Sequence, residues 1–316
     1  MYHNYHKHTC YSNLRTLDCV SKPIDYIKRA KELGHTAYFT TEHGWQGNLW
    51  EAYTLCEQNG IKCISGTEVY YVDDRHEQDK GNYHLIIICK NKQGMKQLNK
   101  ILSTANTDGY YYKPRVDLEL MLTLNPKDVI VTSACVGSRL FKSEDYEDKF
   151  LKPMLKHFGK SFYLEIQCHT DDFQTQYNVK IKELAERYGI EMIHANDSHY
   201  VYEDEAKYRD LFLKAKGIVY EGESNFILDY PSEDTIRKRY KEQGVFTEEE
   251  VERALKNTLI FDECEDLNLT KDIKLPKVHK DRDSNQLLKE ILNEKWKEER
   301  VHIPKERHKE YLEAIK

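Results

Sequence analysis

His84-Leu85-Ile86-Ile87-Ile88-Cys89 is an unbroken run of branched apolar residues headed by a histidine. A strand of this kind is apolar on both faces, so it needs a covering layer on each side, and that requirement points to a sheet packed against helices. Neighbouring segments repeat the pattern. Thr36-Ala37-Tyr38-Phe39-Thr40-Thr41, a stretch through Cys63-Ile64 toward Glu68-Val69-Tyr70-Tyr71-Val72, Val129-Ile130-Val131-Thr132, Phe162-Tyr163-Leu164-Glu165-Ile166, and Ile190 to Ala195 all read as strands. Amphipathic helices fall between them. One opens at Ser21-Lys22-Pro23, is faced by Ile24, Ile27 and Ala30 and stops at Gly34; a second runs from about Asn48 to Asn59 before Gly60. A third carries Phe173, Tyr177, Ile181, Leu184, Ala185 and Tyr188 and is closed by Gly189. The alternation predicts an α/β fold with parallel strands.

Beyond about residue 203 the pattern turns helical and charged, and the tail from Asp281 to Lys316 is rich in Lys and Glu, as a solvated helical extension would be. Apolar periodicity weakens at Leu275-Pro276, which divides the chain into a catalytic-sized domain over 1–275 and an extension over 276–316. No apolar run approaches the roughly 20 residues of a membrane-spanning helix. The start, Met1-Tyr2-His3-Asn4-Tyr5-His6, has no signal-peptide pattern, so a cytoplasmic location without a membrane partner is expected. Eight singly scattered cysteines then read as thiols, mostly small core residues, and the lack of a CxxC pair argues against a zinc ribbon. A formal charge of -6 does not fit a general nucleic-acid coat; were nucleic acid the substrate, metal ions would have to supply local positive charge. The 23 tyrosines read as strand and rim packing rather than a base-stacking surface.

Ionisable residues recur where these strands end. His6 and His8 alternate across Lys7, so an extended backbone would turn both to one face. Asp18 lies in the following loop, His43 after the strand ending at Thr41, and Glu68 after Gly66. His84 opens the apolar strand, Cys135 follows the strand ending near Thr132, and Asp197 and His199 follow the strand ending at Ala195. Singly, each has an ordinary reading as a hydrogen-bonded histidine, a capping aspartate or a buried thiol. Nine together are a different matter, because a core has little use for so many ionisable groups unless metal compensates their burial. Lys113 and Arg115 are candidates for clamping a phosphate, set against the ordinary reading of solvated surface cations. His169 is a candidate acid or supporting group, or a plain strand-end histidine.

The order HxH, Asp, His, Glu, His, Cys, Asp-x-His resembles the PHP family (polymerase and histidinol phosphatase), and within it the domain carried by alpha subunits of bacterial DNA polymerase III. The supporting segments are Thr41-Glu42-His43-Gly44, Gly66-Thr67-Glu68, Tyr83-His84-Leu85, Gly109 to Asp117, Thr132-Ser133-Ala134-Cys135, Glu165-Ile166-Gln167 and Ala195 to Tyr200. Glu42 stands where the family usually has aspartate, and no paired-aspartate segment of a polymerase palm is present. The resemblance implies a distorted (βα)7 PHP barrel with a helical C-terminal extension, and two or three divalent ions of Zn, Mn or Fe. It assigns His6, His8, Glu68 and Asp197 to one ion, with Glu68 bridging to a second held by His84 and Cys135. Asp18, His43 and His199 complete a third. The activity it implies is phosphoester hydrolysis, as a 3′-5′ exonuclease proofreading DNA, with Asp18, His169 and Arg115 as catalytic residues. The alternatives are a small-molecule phosphatase or pyrophosphatase, and a metal-stabilised scaffold that docks polymerase and proofreading subunits. The implied partners are a DNA 3′ end or other phosphoester and the remaining polymerase portion.

Overall fold

The computed structural model describes residues 1–219, 226–269, 279 and 281–315. The strands are β1 (Ala37–Thr40), β2 (Lys62–Tyr71), β3 (Tyr83–Cys89), β4 (Tyr110–Tyr111), β5 (Lys113–Val116), β6 (Val129–Thr132), β7 (Phe162–Gln167) and β8 (Met192–Ala195). They form one sheet in the order β4-β5-β2-β3-β6-β7-β8, with β1 also paired to β2. The helices are α1 (Pro23–Glu32), α2 (Leu49–Asn59), α3 (Lys92–Thr107), the short α4 (Leu118–Met121) and α5 (Arg139–Lys142), α6 (Lys152–Phe158), α7 (Asp172–Tyr188), α8 (Ala206–Lys216), α9 (Glu233–Gln243), α10 (Glu248–Asn257), α11 (Ser284–Glu299) and α12 (His308–Ile315). Local signals explain the principal helix ends. Pro23 begins α1, where Asp25 accepts from the backbone of Lys22, and Gly60 and Gly189 close α2 and α7 in the left-handed conformation.

The expectation of parallel strands needs correction. β1–β2, β2–β5, β6–β7 and β7–β8 are parallel, but β3 runs antiparallel to both β2 and β6, and β4–β5 is an antiparallel hairpin. No crossover helix separates β2 from β3, and a direct return reverses the direction. The reversal brings His84, at the start of β3, to the same end of the sheet as the C-termini of β2 and β6, its antiparallel neighbours.

The first segment of the chain curls the sheet toward closure. Lys7 bridges in parallel to Ser198, with His8 N donating to Ser198 O (2.8 Å) and Ser198 N to His6 O (3.2 Å). On its other side, the Thr41 hydroxyl lies 2.7 Å from Tyr5 O and 2.9 Å from Lys7 O. With this segment included, the barrel path runs through β1, β2, β3, β6, β7 and β8, the distorted (βα)7 arrangement with helices packed outside.

β3 is buried on both faces, as its composition requires. Leu85, Ile87 and Cys89 join the large cluster that includes residues of α1, α2, α3 and α7, whereas Ile86 and Ile88 enter a second cluster with Phe39, Ile64, Ile130, Ile193 and Phe261. The second cluster fills the barrel interior. Period-two alternation then carries the interior face from Ile64 to Glu68 on β2, from Ile86 back to His84 on β3, and from Ile193 through Ala195 toward Asp197. The interior is apolar at one end and ionisable at the other.

The chain separates into two compact units, Met1–Leu269 and Thr270–Lys316. The expected boundary at Leu275-Pro276 lies outside the described residues. In the second unit α11 has no buried residue, and Trp296 packs its ring against His308 and Tyr311. Among the described residues no helix is long and apolar enough to cross a membrane. All eight cysteines are free, and all but Cys10 are buried.

Four buried histidines make the metal-free barrel sensitive to acid. Burial lowers His35, His43 and His169 to about 4 and His194 to about 3. The unfolded chain, with ordinary values near 6.5, therefore binds more protons than the native state between about pH 4 and 6.5. Stability rises with pH across that window, by up to about 1.4 kcal/mol per unit for each such histidine. Urea midpoints should climb from pH 4.5 to 6.5, and a flat or falling profile would contradict the neutral assignment.

Candidate metal centre

The ionisable end of the barrel gathers the nine residues from seven stretches of chain. His6 Nε2 lies 3.1 Å and His8 Nε2 3.3 Å from Asp197 Oδ1, while His8 Nε2 is also 3.0 Å from Glu68 Oε2. Lys7 turns the other way, its ammonium reaching Phe39 O and lying 3.4 Å from the Tyr38 ring centroid. Glu68, in the middle of β2, also meets His43 Nδ1 at 2.7 Å and His84 Nδ1 at 2.8 Å. His84 Nδ1 is 3.5 Å from Cys135 Sγ, and His199 Nε2 is 3.0 Å from Asp18 Oδ2. His8 and His43 stack at 3.9 Å, and the Tyr70 ring continues the stack beyond His43.

Backbone geometry is special just before Cys135 and at Asp197. Ala134 and Asp197 have φ of 60° and 52°, so the turns after β6 and β8 adopt left-handed conformations that redirect Cys135 and Asp197. Gly137 accepts from His84 N and donates to Cys135 Sγ; a Cβ there would sit 2.8 Å from His84 Nδ1, so only glycine lets this loop approach the ring.

A divalent-cation centre is testable from the donor atoms alone. His6 Nε2, His8 Nε2, both ring nitrogens of His43, both oxygens of Glu68 and Asp197 Oδ1 are buried without a hydrogen-bond partner. A buried carboxylate among such atoms is costly unless a cation compensates it. Donor atoms within 4.8 Å of one another form the groups His6–His8–Glu68, Glu68–His84–Cys135, His8–His43–His199 and Asp18–Cys19–His199. The residues fit metal ions. The third group differs from the resemblance, since His8 approaches His43 and His199, and Cys19 Sγ lies 3.0 Å from Asp18 Oδ1.

Without metal, protons take the cations' place. For His8, burial opposes charge, yet Glu68 and Asp197 raise it to about 9, and His6 is raised as well. Burial opposes ionisation of Asp18, Glu68 and Asp197, but the surrounding histidines hold all three below the usual carboxylate range. Burial, then Asp197 and Glu68, push the Cys135 thiol up, so coordination through its thiolate requires a cation to displace the proton.

Supporting residues escaped the sequence reading. Glu165, a strand residue and part of the Glu165-Ile166-Gln167 segment of the resemblance but given no role there, is fully buried and receives His6 Nδ1 and Tyr5 OH (both 2.7 Å), Gln167 Nε2 (2.8 Å) and Thr132 Oγ1 (2.9 Å). It fixes the His6 tautomer so that Nε2 faces the centre. Glu42 accepts from Thr9, Ser12 and Asn48, and Ser12 Oγ lies 3.1 Å from His8 Nδ1. His199 Nδ1 donates to Asp197 O at 2.8 Å. The available signal was a single carboxylate inside the apolar run of β7.

Arg115 is not placed to clamp a phosphate. Its guanidinium is 3% exposed and donates to the carbonyls of Gly109, Glu77, Asp79 and Arg75. It braces the β2–β3 connection that leads into His84. Arg115→Lys, which keeps the charge but leaves carbonyls unmatched, should cost about 3 kcal/mol in chemical denaturation. A phosphate clamp would instead raise KM at unchanged stability. Lys113 differs: its half-buried ammonium reaches Arg15 O and Thr16 Oγ1 (3.1 Å) on the loop that carries Asp18, and Tyr70 OH (3.4 Å) on β2. His169 is buried with both ring nitrogens unpaired and stacks on Phe226 at 4.9 Å.

The sequence pattern of the PHP domain matches residues 4–169, and the chain belongs to that family. Polymerase subunits are among its relatives. DNA polymerase III subunit alpha of Borreliella burgdorferi is 30% identical over 84% of this chain and 24% of its own length. The same subunit of Aquifex aeolicus is 31% identical over 80% of this chain and 23% of its own, and that of Helicobacter pylori 28% identical over 98% and 28%. The chain spans about a quarter of the length of these relatives.

Proposed function

We propose that the barrel mouth is a hydrolytic site for phosphoesters, working with two or three divalent ions of Zn, Mn or Fe, and that it acts as a 3′-5′ exonuclease on DNA. The observation that carries this reading is the convergence of buried histidine nitrogens on Glu68, a buried carboxylate that makes no regular hydrogen bond and whose two oxygens face different histidines. Bound divalent ions would supply a nucleophilic water at neutral pH and charge stabilisation on the phosphoryl oxygens. The residues that would hold them are His6, His8, Asp18, His43, Glu68, His84, Cys135, Asp197 and His199.

The chain's own groups divide the remaining work. Glu165, Ser12 and the Asp197 carbonyl orient His6, His8 and His199. Asp18, held ionised by His199, serves as an acceptor rather than an acid. Lys113, anchored beside the Asp18 loop by Arg15 O, Thr16 Oγ1 and Tyr70 OH, adds positive charge there, and a phosphate would meet its ammonium by exchanging with one of the two hydroxyls. His169, lowered to about 4 by burial, is neutral at pH 7 and would serve as a supporting group rather than as the acid. DNA as substrate is supported by the polymerase subunits to which the chain is related. The same relation supports the second reading, a metal-stabilised scaffold beside a polymerase.

Release of the 3′ nucleotide from labelled single-stranded DNA, by protein stripped of metal and resupplied with Mn, Zn or Mg, tests the proposal. Turnover should need metal and vanish in His8→Ala. A metal-binding protein without turnover would favour the scaffold.

A further inference from the structure

The β4–β5 hairpin carries tyrosines that burial does not explain, although Tyr112 meets Tyr111 edge on at 4.8 Å. Tyr111 pairs with Lys113, so Tyr112 alone forms the turn, with φ of 59°. A bulky residue in the left-handed region is disfavoured where glycine would be at ease. Tyr112 is nonetheless 61% exposed and Tyr110 52% exposed. Each has a cation over its ring, Lys80 at 4.3 Å from the centroid of Tyr112 and Arg15 at 5.9 Å from that of Tyr110. Strain and burial therefore do not account for either side chain.

The hairpin is tied to the metal centre at two points. Lys113, next to the turn, meets Thr16 and the hydroxyl of Tyr70, whose ring stacks on His43 at 5.8 Å. Arg15 lies on the loop that ends in Asp18. Two exposed rings, each with a cation near it, thus stand on a hairpin tied to the Asp18 loop and, through Tyr70, to His43.

We propose that Tyr110 and Tyr112, with Arg15, Lys80 and Lys113 around them, form a base-stacking subsite that selects single-stranded polynucleotide for the metal centre. The proposal rests on the phosphoester-hydrolase reading and names its substrate class. Every base has a π-face, so stacking is tolerant of sequence, and the flanking cations suit the phosphates between bases. Duplex ends gain less, because their bases already stack on each other. A small phosphoester without a base gains nothing. The chain's net negative charge is no obstacle, since these cations are local to the mouth.

Binding tests the subsite apart from catalysis. The probe is a fluorescent oligodeoxythymidine with phosphorothioate linkages, which slow its hydrolysis, followed by anisotropy on the full chain. Tyr110→Ala and Tyr112→Ala should each weaken binding roughly tenfold, while Tyr110→Phe and Tyr112→Phe, which keep the π-face, should bind as the parent does. Unchanged binding in the alanine variants, an equal loss in the phenylalanine variants, or no binding by the parent would overturn the proposal. Stacking through these tyrosines in a protein without metal-dependent turnover would support the subsite and contradict the hydrolase reading alone.

Discussion

Glu68→Gln should abolish the proposed metal-dependent turnover, by about three orders of magnitude or more, with the fold retained. Glutamine has almost the same shape, so the interior of β2 need not repack. The chemistry changes completely. Glu68 offers two anionic oxygens to four histidines, at 3.6 Å from His6, 3.0 Å from His8, 2.7 Å from His43 and 2.8 Å from His84. A neutral amide presents one acceptor and two hydrogens, and the hydrogens repel any cation the imidazoles would share. Both donor groups that contain Glu68 fail together, which is why the effect exceeds that of losing a ligand from one group only. Turnover under saturating metal, alongside circular dichroism, checks this. Residual activity within tenfold of the parent would mean that Glu68 does not bridge.

Glu165→Leu should have the largest effect on stability. The carboxylate is fully buried and accepts four hydrogen bonds, from Tyr5, His6, Thr132 and Gln167. Leucine leaves those donors buried and unmatched, at about 1–3 kcal/mol each before relaxation. A loss of about 4 kcal/mol is a large part of the roughly 5–15 kcal/mol that holds a domain together, and Tm should fall by about 10 °C. Glu165→Gln separates support from stability. It retains much of the packing but presents a weaker acceptor to His6 Nδ1, so metal affinity should drop about 10–100-fold with a smaller change in Tm. Equal metal affinity in Glu165→Gln and the parent would show that Glu165 serves folding alone.

Much of this architecture could be read from residue order because it rests on local rules. The apolar run of β3, the caps at Pro23, Gly60 and Gly189, and the recurrence of ionisable residues near strand ends are properties of short windows of sequence. What escaped depends on pairing between distant segments. The direction of β3 is set by its partners, and only that reversal explains how a histidine at a strand's beginning joins groups at other strands' ends. Glu165 is as invisible for the same reason: its importance comes from Tyr5, His6 and Thr132, which no window around β7 contains. Lys113 and Arg115 show the limit most directly. They are two residues apart and both cationic, yet the guanidinium of one is consumed by backbone carbonyls while the ammonium of the other is held against the Asp18 loop.

Metal content tests the central claim most directly. After equilibration with zinc or manganese and removal of free ions, elemental analysis should find at least about two equivalents per chain, consistent with several donor groups sharing Glu68. Less than one equivalent in the folded parent, with either metal, would contradict a multi-ion centre at the barrel mouth.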